Sequence, residues 1–159
     1  GGWGIAVTSD GGTTFIAEDN GGKDQTTNNE QELMGAIAAV KKANELGKPT
    51  TIKSDSNYVV KGVNEWMNNW KEREWKGSNN QPIKNLELWK QLDTELSNST
   101  VLLTFEKVKG HSNNLGNDRA DQLALLLSTF KTHQKTTTST NGGIKRVQRC
   151  TAVLANKII

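Results

Sequence analysis

Cysteine is nearly absent from this sequence. Cys150 is the only one among 159 residues, so neither a disulfide framework nor a cysteine-based zinc site can form within the chain. The sequence also lacks any apolar run near the ~18 residues that a membrane-spanning helix needs, and it shows no signal peptide. These absences predict a protein without a membrane helix, in a reducing compartment that we take to be the cytoplasm.

An initiator methionine is missing as well, because the chain begins with Gly1 and Gly2 followed by Trp3. Either residues were removed or the chain is part of a longer reading frame. Hydrophobic residues make up 33% of the chain, and the formal net charge is +3 with a pI of about 9.0. Such a composition fits one polar domain with a core. The mild positive charge suits a nucleic-acid partner without demonstrating one.

Short strands alternate with amphipathic helices, which predicts an α/β domain. A hairpin of strands over 5–8 and 13–17 flanks the turn at Asp10, since Asp-Gly and Gly-Gly favour such turns. Leu33, Ala36, Ile37, Val40 and Ala43 recur at helical spacing in the next segment. The remaining predictions are helices over 30–46, 57–68, 86–96 and 117–129 and strands over 50–56 and 100–108.

Three carboxylates lie at positions along the chain that are typical of a functional site. Glu32 starts a helix, Asp55 ends a strand, and Asp121 follows a loop that contains His111. Oxygen ligands of this kind suit Mg²⁺. Each residue also has a plain structural explanation: Glu32 as the capping-box partner of an N-cap Asn29, Asp55 as a turn residue, Asp121 as a solvated helix residue and His111 as a loop histidine.

Four segments, in order along the chain, carry a resemblance to a known family. They are "TTNNEQELMGAIAAV", "SDSNYVVKGVNEWMNNWKEREWK", "PIKNLELWKQLD" and "VKGHSNNLGNDRADQLA". Together they resemble type 1 ribonuclease H over about residues 1 to 130. The resemblance implies a mixed five-stranded sheet of order 3-2-1-4-5 flanked by helices. It also implies an endoribonuclease that hydrolyses the RNA strand of RNA–DNA hybrids.

The resemblance implies roles for individual residues. Glu32, Asp55 and Asp121 match metal-binding catalytic carboxylates, and His111 matches a loop histidine that aids proton transfer or product release. The implied cofactor is Mg²⁺, with Mn²⁺ as an alternative, in a two-metal-ion cleavage that leaves a 5′-phosphate and a 3′-hydroxyl. The implied partner is an RNA–DNA hybrid, and we expect a monomer.

Further residues match the family's substrate-binding positions, and these are Thr27, Asn28, Asn29, Trp70, Trp75, Lys76 and Asn85. Asn28 and Asn29 would read the minor groove of the hybrid, because an amide can both donate to and accept from an RNA 2′-hydroxyl. Thr27 and Asn85 would hold a phosphate of the DNA strand.

The tryptophans belong to a basic segment that matches the protrusion with which the family grips the DNA strand. Trp70, Trp75 and Lys76 are its predicted contacts, through sugar stacking and phosphate charge. Trp66, at helical spacing from apolar residues, is the predicted core member, whereas Trp70 and Trp75 are predicted to be exposed.

The family pattern breaks at the N-terminus. The strand that carries the family's first catalytic aspartate has no counterpart in the chain, and Asp10 cannot replace it because it lies in the predicted hairpin turn. That strand is central in the family's sheet, so its loss would leave backbone groups of two neighbours unpaired.

Two explanations of this gap stay open. Residues 147–154 of the C-terminal tail could fill it, although the tail has no Asp or Glu. Alternatively the reading frame is incomplete and the tail has little structural or functional significance. The missing methionine favours this second explanation. We therefore divide the chain into a ribonuclease H-like domain (1–130), a linker (131–143) and a tail of open role (144–159). The function is then either a weakened or inactive ribonuclease H or a non-catalytic hybrid-binding module.

Overall fold

A computed structural model describes residues 1–9, 14–108 and 150–157 of the chain. Its strands are β1 (Gly2–Ser9), β2 (Thr14–Gly22), β3 (Thr50–Ser54), β4 (Leu103–Lys107) and β5 (Cys150–Lys157). Its helices are α1 (Asn28–Leu46), α2 (Asn57–Lys61), α3 (Met67–Glu72) and α4 (Leu86–Ser97), with a π-helical turn over Gly62–Trp66 between α2 and α3. The predicted helix over 117–129 and the linker over 131–143 lie outside the described residues.

The described strands form one mixed sheet in the order β2-β1-β5-β3-β4. The central strand is β5, which runs antiparallel to β1, with Gly2 opposite Lys157 and Ser9 opposite Cys150. On its other side β5 runs parallel to β3. When β1 and β2 are counted as the family's second and third strands, this order is the predicted 3-2-1-4-5 with the tail in the first strand's place. The expected mixed five-stranded sheet is confirmed.

Residues 150–157 of the tail therefore form the central strand, as the first of the two explanations predicts. The strand begins three residues later than the predicted 147–154. Cys150, Ala152 and Leu154 alternate into the main core, and Val153 is buried as well. Because β5 pairs on both sides, it also satisfies backbone groups that β1 and β3 would otherwise leave open.

Helix α1 covers one face of the sheet with the apolar stripe that the sequence predicts. Leu33, Ala36, Ile37, Val40 and Ala43 are all buried. The helix ends at Gly47, whose left-handed backbone (φ 67°) directs its N–H to the carbonyls of Ala43 and Asn44. This is the predicted stop, and only glycine adopts such a conformation without strain.

The helical segment after β3 is longer than predicted, since it runs through α2, the π-helical turn and α3 as far as Glu72. The π-helical turn begins at Gly62, where an added Cβ would overlap the indole of the buried Trp89. Close packing of α4 on this segment thus depends on the missing side chain. Within the described residues, no helix is long and apolar enough to cross a membrane.

Candidate active site

The start of α1 differs from the sequence prediction in its capping residue. Thr27 is the N-cap, in an extended conformation, and its Oγ1 accepts a hydrogen bond of 3.2 Å from the N–H of Glu30. The prediction of Asn29 as N-cap is wrong, because the helix already begins at Asn28. The glutamate three residues after the cap is Glu30, so Glu32 is released from any capping role.

Glu32 instead faces the segment that follows β3. Its Oε2 accepts a short hydrogen bond from Ser56 Oγ, and its Oε1 accepts one of 3.3 Å from Asn28 Nδ2. These two donors hold the carboxylate in one orientation. Asn28, one of the two predicted groove-reading amides, thereby contacts the predicted catalytic glutamate, while Asn29 is exposed.

Asp55 lies between β3 and α2, directly after the strand's last residue, Ser54. Its neighbour Ser56 caps α2: Ser56 Oγ accepts from the N–H of Val59 at 3.3 Å while it donates to Glu32. Ser56 is buried and Asp55 is exposed. Ser56 thus links the end of β3 to Glu32 on α1, whereas Asp55 stays open to solvent.

The two carboxylates influence each other. Partial burial raises the pKa of Glu32 above its ordinary value, and the negative charge of Asp55 raises it further. The hydrogen bonds from Ser56 and Asn28 and the charge of Lys107 act in the opposite direction on this pKa. Two oxygen-bearing groups that repel each other in this way form a place where a cation is favoured.

The sheet brings Lys107 to the same edge. Lys107 is paired with Ser54 at the end of β4, and the next residue, Val108, donates its N–H to the Ser54 carbonyl at 2.9 Å. Lys107 is exposed and takes part in no ion pair among the described residues.

The central strand contributes an apolar side chain next to the carboxylates. In the register of β5 with β3, Val153 is opposite Lys53, which places Leu154 beside Ser54, immediately before Asp55. Leu154 is buried and packs on α1, since a Cβ at Gly35 would lie 3.7 Å from its Cδ2. Gly35 is three residues along the helix from Glu32. The β5 residue that lies beside Ser54 and packs against Gly35 is therefore apolar.

The described part of the site provides two of the predicted metal ligands. Within residues 1–9, 14–108 and 150–157, no group of three or more His, Cys, Asp or Glu side chains is arranged to hold a metal ion. Glu32 and Asp55 supply hard oxygen donors of the type that Mg²⁺ and Mn²⁺ accept. Asp121 and His111, the other predicted members of the site, lie outside the described residues.

A second cluster extends from α2 to α4 around Tyr58. The Tyr58 hydroxyl accepts hydrogen bonds from Asn85 Nδ2 at 3.1 Å and from Trp89 Nε1 at 2.9 Å. Asn85, a predicted phosphate contact, has a left-handed backbone (φ 56°) just before α4. Because Tyr58 is two residues after Ser56, this cluster is continuous with the carboxylate end of the site.

The basic segment forms a groove of about 550 Å³, lined by Trp66, Asn69, Trp70, Arg73, Lys76, Gly77 and Ser78. Trp70 and Lys76, two predicted DNA-strand contacts, share this groove. Both Trp70 and Trp75 are half-buried against the core rather than exposed. Trp66, the predicted core member, packs on Tyr58 and Trp70 at ring separations of 6.2 and 5.8 Å but is also only half-buried.

Sequence reasoning missed Ser56, Tyr58 and Lys107 as members of this region. Ser56 had a usable signal, because a serine just before a predicted helix is a favoured N-cap. Lys107 lies two residues after the core residue Phe105, and strand alternation places such residues on one face. Tyr58 gave no comparable signal, since its two partners come from a helix about thirty residues further along the chain.

The chain matches the RNase H family model over residues 1–128. It is 41% identical over 140 residues to the ribonuclease H of Jannaschia sp. (strain CCS1), an alignment that covers 85% of this chain and 86% of that protein. It is 44% identical over 126 residues to the ribonuclease H of Pseudomonas fluorescens (strain Pf-5), covering 78% and 79% of the two chains.

Solved structures agree with these sequence matches. LC9-RNase H1, described as a type 1 RNase H with the type 2 active-site motif, superposes with a TM-score of 0.71 at 25% identity, over 87% of this chain and 67% of that one. The solution structure of the PFV RNase H domain superposes with a TM-score of 0.70 at 26% identity, over 80% and 81%. From its sequence and its fold, this chain belongs to the ribonuclease H family.

Proposed function

We propose that this chain is an endoribonuclease that hydrolyses the RNA strand of RNA–DNA hybrids, with a rate limited by its incomplete set of carboxylates. The observation that carries this proposal is the convergence of Glu32 and Asp55, remote along the chain, at one edge of the sheet and joined through Ser56. Membership of the ribonuclease H family supports the substrate class. The net charge of +3 suits a nucleic-acid partner, and we propose that the chain acts as a monomer in the cytoplasm.

The residues around the carboxylates have different proposed roles in substrate binding. Glu32 is oriented by Ser56 and Asn28, and Asp55 is open to solvent. Thr27 Oγ1 accepts from the helix backbone, so its O–H proton is available for a phosphate oxygen at the start of α1, where anions are favoured. With Asp121, the two carboxylates would hold a divalent cation such as Mg²⁺ or Mn²⁺, which when bound supplies Lewis-acid polarisation of a phosphoryl oxygen.

The groove on the basic segment suits the DNA strand of the hybrid. It combines the face of Trp70 with the charges of Arg73 and Lys76, and aromatic faces with flanking cations bind nucleic-acid strands. Lys76 keeps most of its charge available, because its only ion pair among the described residues is a 4.0 Å contact with the exposed Glu74.

One observation favours a second candidate function, a hybrid-binding module without catalysis. The central strand has the apolar Leu154 beside Ser54 and against Gly35 of α1, so at this position it offers no carboxylate to accompany Glu32 and Asp55. A site with too few acidic ligands binds a divalent cation weakly. Such a chain would retain the groove and the helix start for binding while it loses cleavage.

One assay separates these candidates. The chain is incubated with a labelled RNA–DNA hybrid in Mg²⁺ or Mn²⁺, beside Glu32→Gln and Asp55→Asn, with DNA duplex as a substrate control. We expect slow cleavage of the RNA strand by the unaltered chain and none by either variant, because each variant removes a charged oxygen ligand. Binding without cleavage in both metals would favour the module, and absence of hybrid binding would contradict both.

A further inference from the structure

We propose that Lys107 is a substrate-binding residue whose ammonium group contacts a phosphate of the bound nucleic acid beside Glu32 and Asp55. This inference rests on the proposed function and deepens it. It begins with the register of the sheet, in which Lys107 is paired with Ser54, the residue immediately before Asp55. The hydrogen bond from the Val108 N–H to the Ser54 carbonyl fixes the chain beyond the strand, so the position is defined on both sides.

Strand alternation directs Lys107 toward the carboxylates. Phe105, two residues earlier, is buried in the core, and residues two apart on a strand point to the same face. That face is the one covered by α1, which carries Glu32. Lys107 therefore lies at the end of β4 beside Ser54, on the face of the sheet that α1 covers.

Lys107 is one of the described basic residues that form no ion pair, and its place beside Ser54 sets it apart from the others. Within the described residues, the lysines in ion pairs are Lys23, Lys41, Lys42, Lys71 and Lys76. Lys107 is exposed and has neither an ion pair nor a side-chain hydrogen bond there. A cation beside two carboxylates that forms no tight contact with them can turn to an incoming phosphate, which offers stronger, charge-assisted hydrogen bonds.

The positive charge of Lys107 would also reduce the repulsion between a bound phosphate and the two carboxylates. A phosphodiester that approaches Glu32 and Asp55 meets two negative groups, and a nearby ammonium group offsets part of that repulsion. Lysine suits the task because its long stem lets a point charge follow a flexible backbone. The contact is to the sugar–phosphate backbone, so it adds affinity without base preference.

The test is hybrid binding by Lys107→Met, measured by fluorescence anisotropy without divalent metal over a series of potassium chloride concentrations. Removal of one phosphate contact should weaken binding about fivefold at low salt and reduce the slope of log affinity against log salt by about one. Lys107→Arg should retain both the affinity and the slope. A merely structural role would alter the melting temperature without this pattern in the salt dependence.

Lys53→Met is the matched control, because Lys53 lies one strand away, on β3, and points to the opposite face of the sheet from Ser54. It should leave the salt slope unchanged. If the unaltered chain binds hybrid and Lys107→Met shows the same slope and affinity, the role of Lys107 is refuted while the proposed function stands. If the unaltered chain does not bind hybrid at all, the proposed function fails and this inference fails with it.

Discussion

At the scale of single residues, Glu32 has surroundings that differ clearly from those of an ordinary surface carboxylate. It starts a helix but does not cap it, and its two oxygens are held by Ser56 and Asn28. Partial burial and the charge of Asp55 make its ionised form costly in the folded chain. A group that is held in an unfavourable charge state is a common sign of a functional site.

This cost predicts the pH dependence of stability. The pKa of Glu32 is raised in the folded chain above 4.5, so the folded state binds the proton more tightly than the unfolded state. The stability that this residue contributes is therefore complete below pH 4.5 and is lost as the pH rises through the folded-state pKa. Glu32→Gln cannot ionise, and its amide oxygen can still accept from Ser56.

We therefore expect Glu32→Gln to melt at a higher temperature than the unaltered chain at neutral pH without divalent metal, with no difference below pH 4.5. Melting curves by circular dichroism across this pH range measure the effect. Glu87→Gln, on the exposed side of α4, is the control and should show no such trend. The account would be contradicted if the melting temperature of Glu32→Gln, compared with that of the unaltered chain, fell between acid and neutral pH.

At the scale of elements, β5 decides both the sheet and the completeness of the site. Its apolar residues allow it to lie between β1 and β3, and they put a buried leucine, Leu154, beside Ser54. If the proposed metal site extends to position 154, structure and catalysis make opposite demands on this residue. The present sequence meets the structural demand.

Leu154→Asp should reverse that balance. The new carboxylate would face α1 near Glu32, and we expect metal-dependent cleavage of the hybrid to increase. Stability should fall by about 3 kcal/mol, because a buried leucine is lost and a charge is placed in the core. Cleavage rates at low temperature, corrected for the folded fraction from thermal melts, provide the measurement.

The control for this variant is Val153→Asp, which alters an equally buried residue of the same strand that faces away from α1. It should lose similar stability without any increase in cleavage. If folded Leu154→Asp cleaves no faster than Val153→Asp, the assignment of position 154 to the metal site is wrong.

The sequence predicted these elements unevenly, for physical reasons. The stripe from Leu33 to Ala43 and the stop at Gly47 are local signals, so α1 was predicted to within two residues. The cap at Thr27 was missed because Asn29 is an equally good capping residue by composition. The place of β5 depends on pairing with strands a hundred or more residues away, and the sequence left it as one of two explanations. The order of the elements predicts that Glu32 and Asp55 lie at the same edge of the sheet. The hydrogen bond that links Glu32 to Ser56 could not be predicted, because it depends on side-chain geometry.

At the scale of the whole molecule, β5 joins two halves that are otherwise separate in the described sheet. The hairpin of β1 and β2 lies on one side and the parallel pair of β3 and β4 on the other. The pairing of Gly2 with Lys157 also brings the two ends of the described chain together. A central strand with this many partners should be released only when the whole fold opens, because partial release exposes backbone on both neighbours.

Cys150 permits a direct test, since it is the only cysteine and is buried between Ser9 and Thr50 at the start of β5. We expect a thiol reagent to label it at least about five thousandfold more slowly than an exposed cysteine. Leu102→Cys in a Cys150→Ala background supplies that reference, because Leu102 is 64% exposed. The opening free energy from the labelling rate should equal the unfolding free energy from urea denaturation, because both report loss of the same sheet. Rapid labelling in a chain that otherwise remains folded would mean that the tail is only loosely attached, and the central position of β5 would then have to be abandoned.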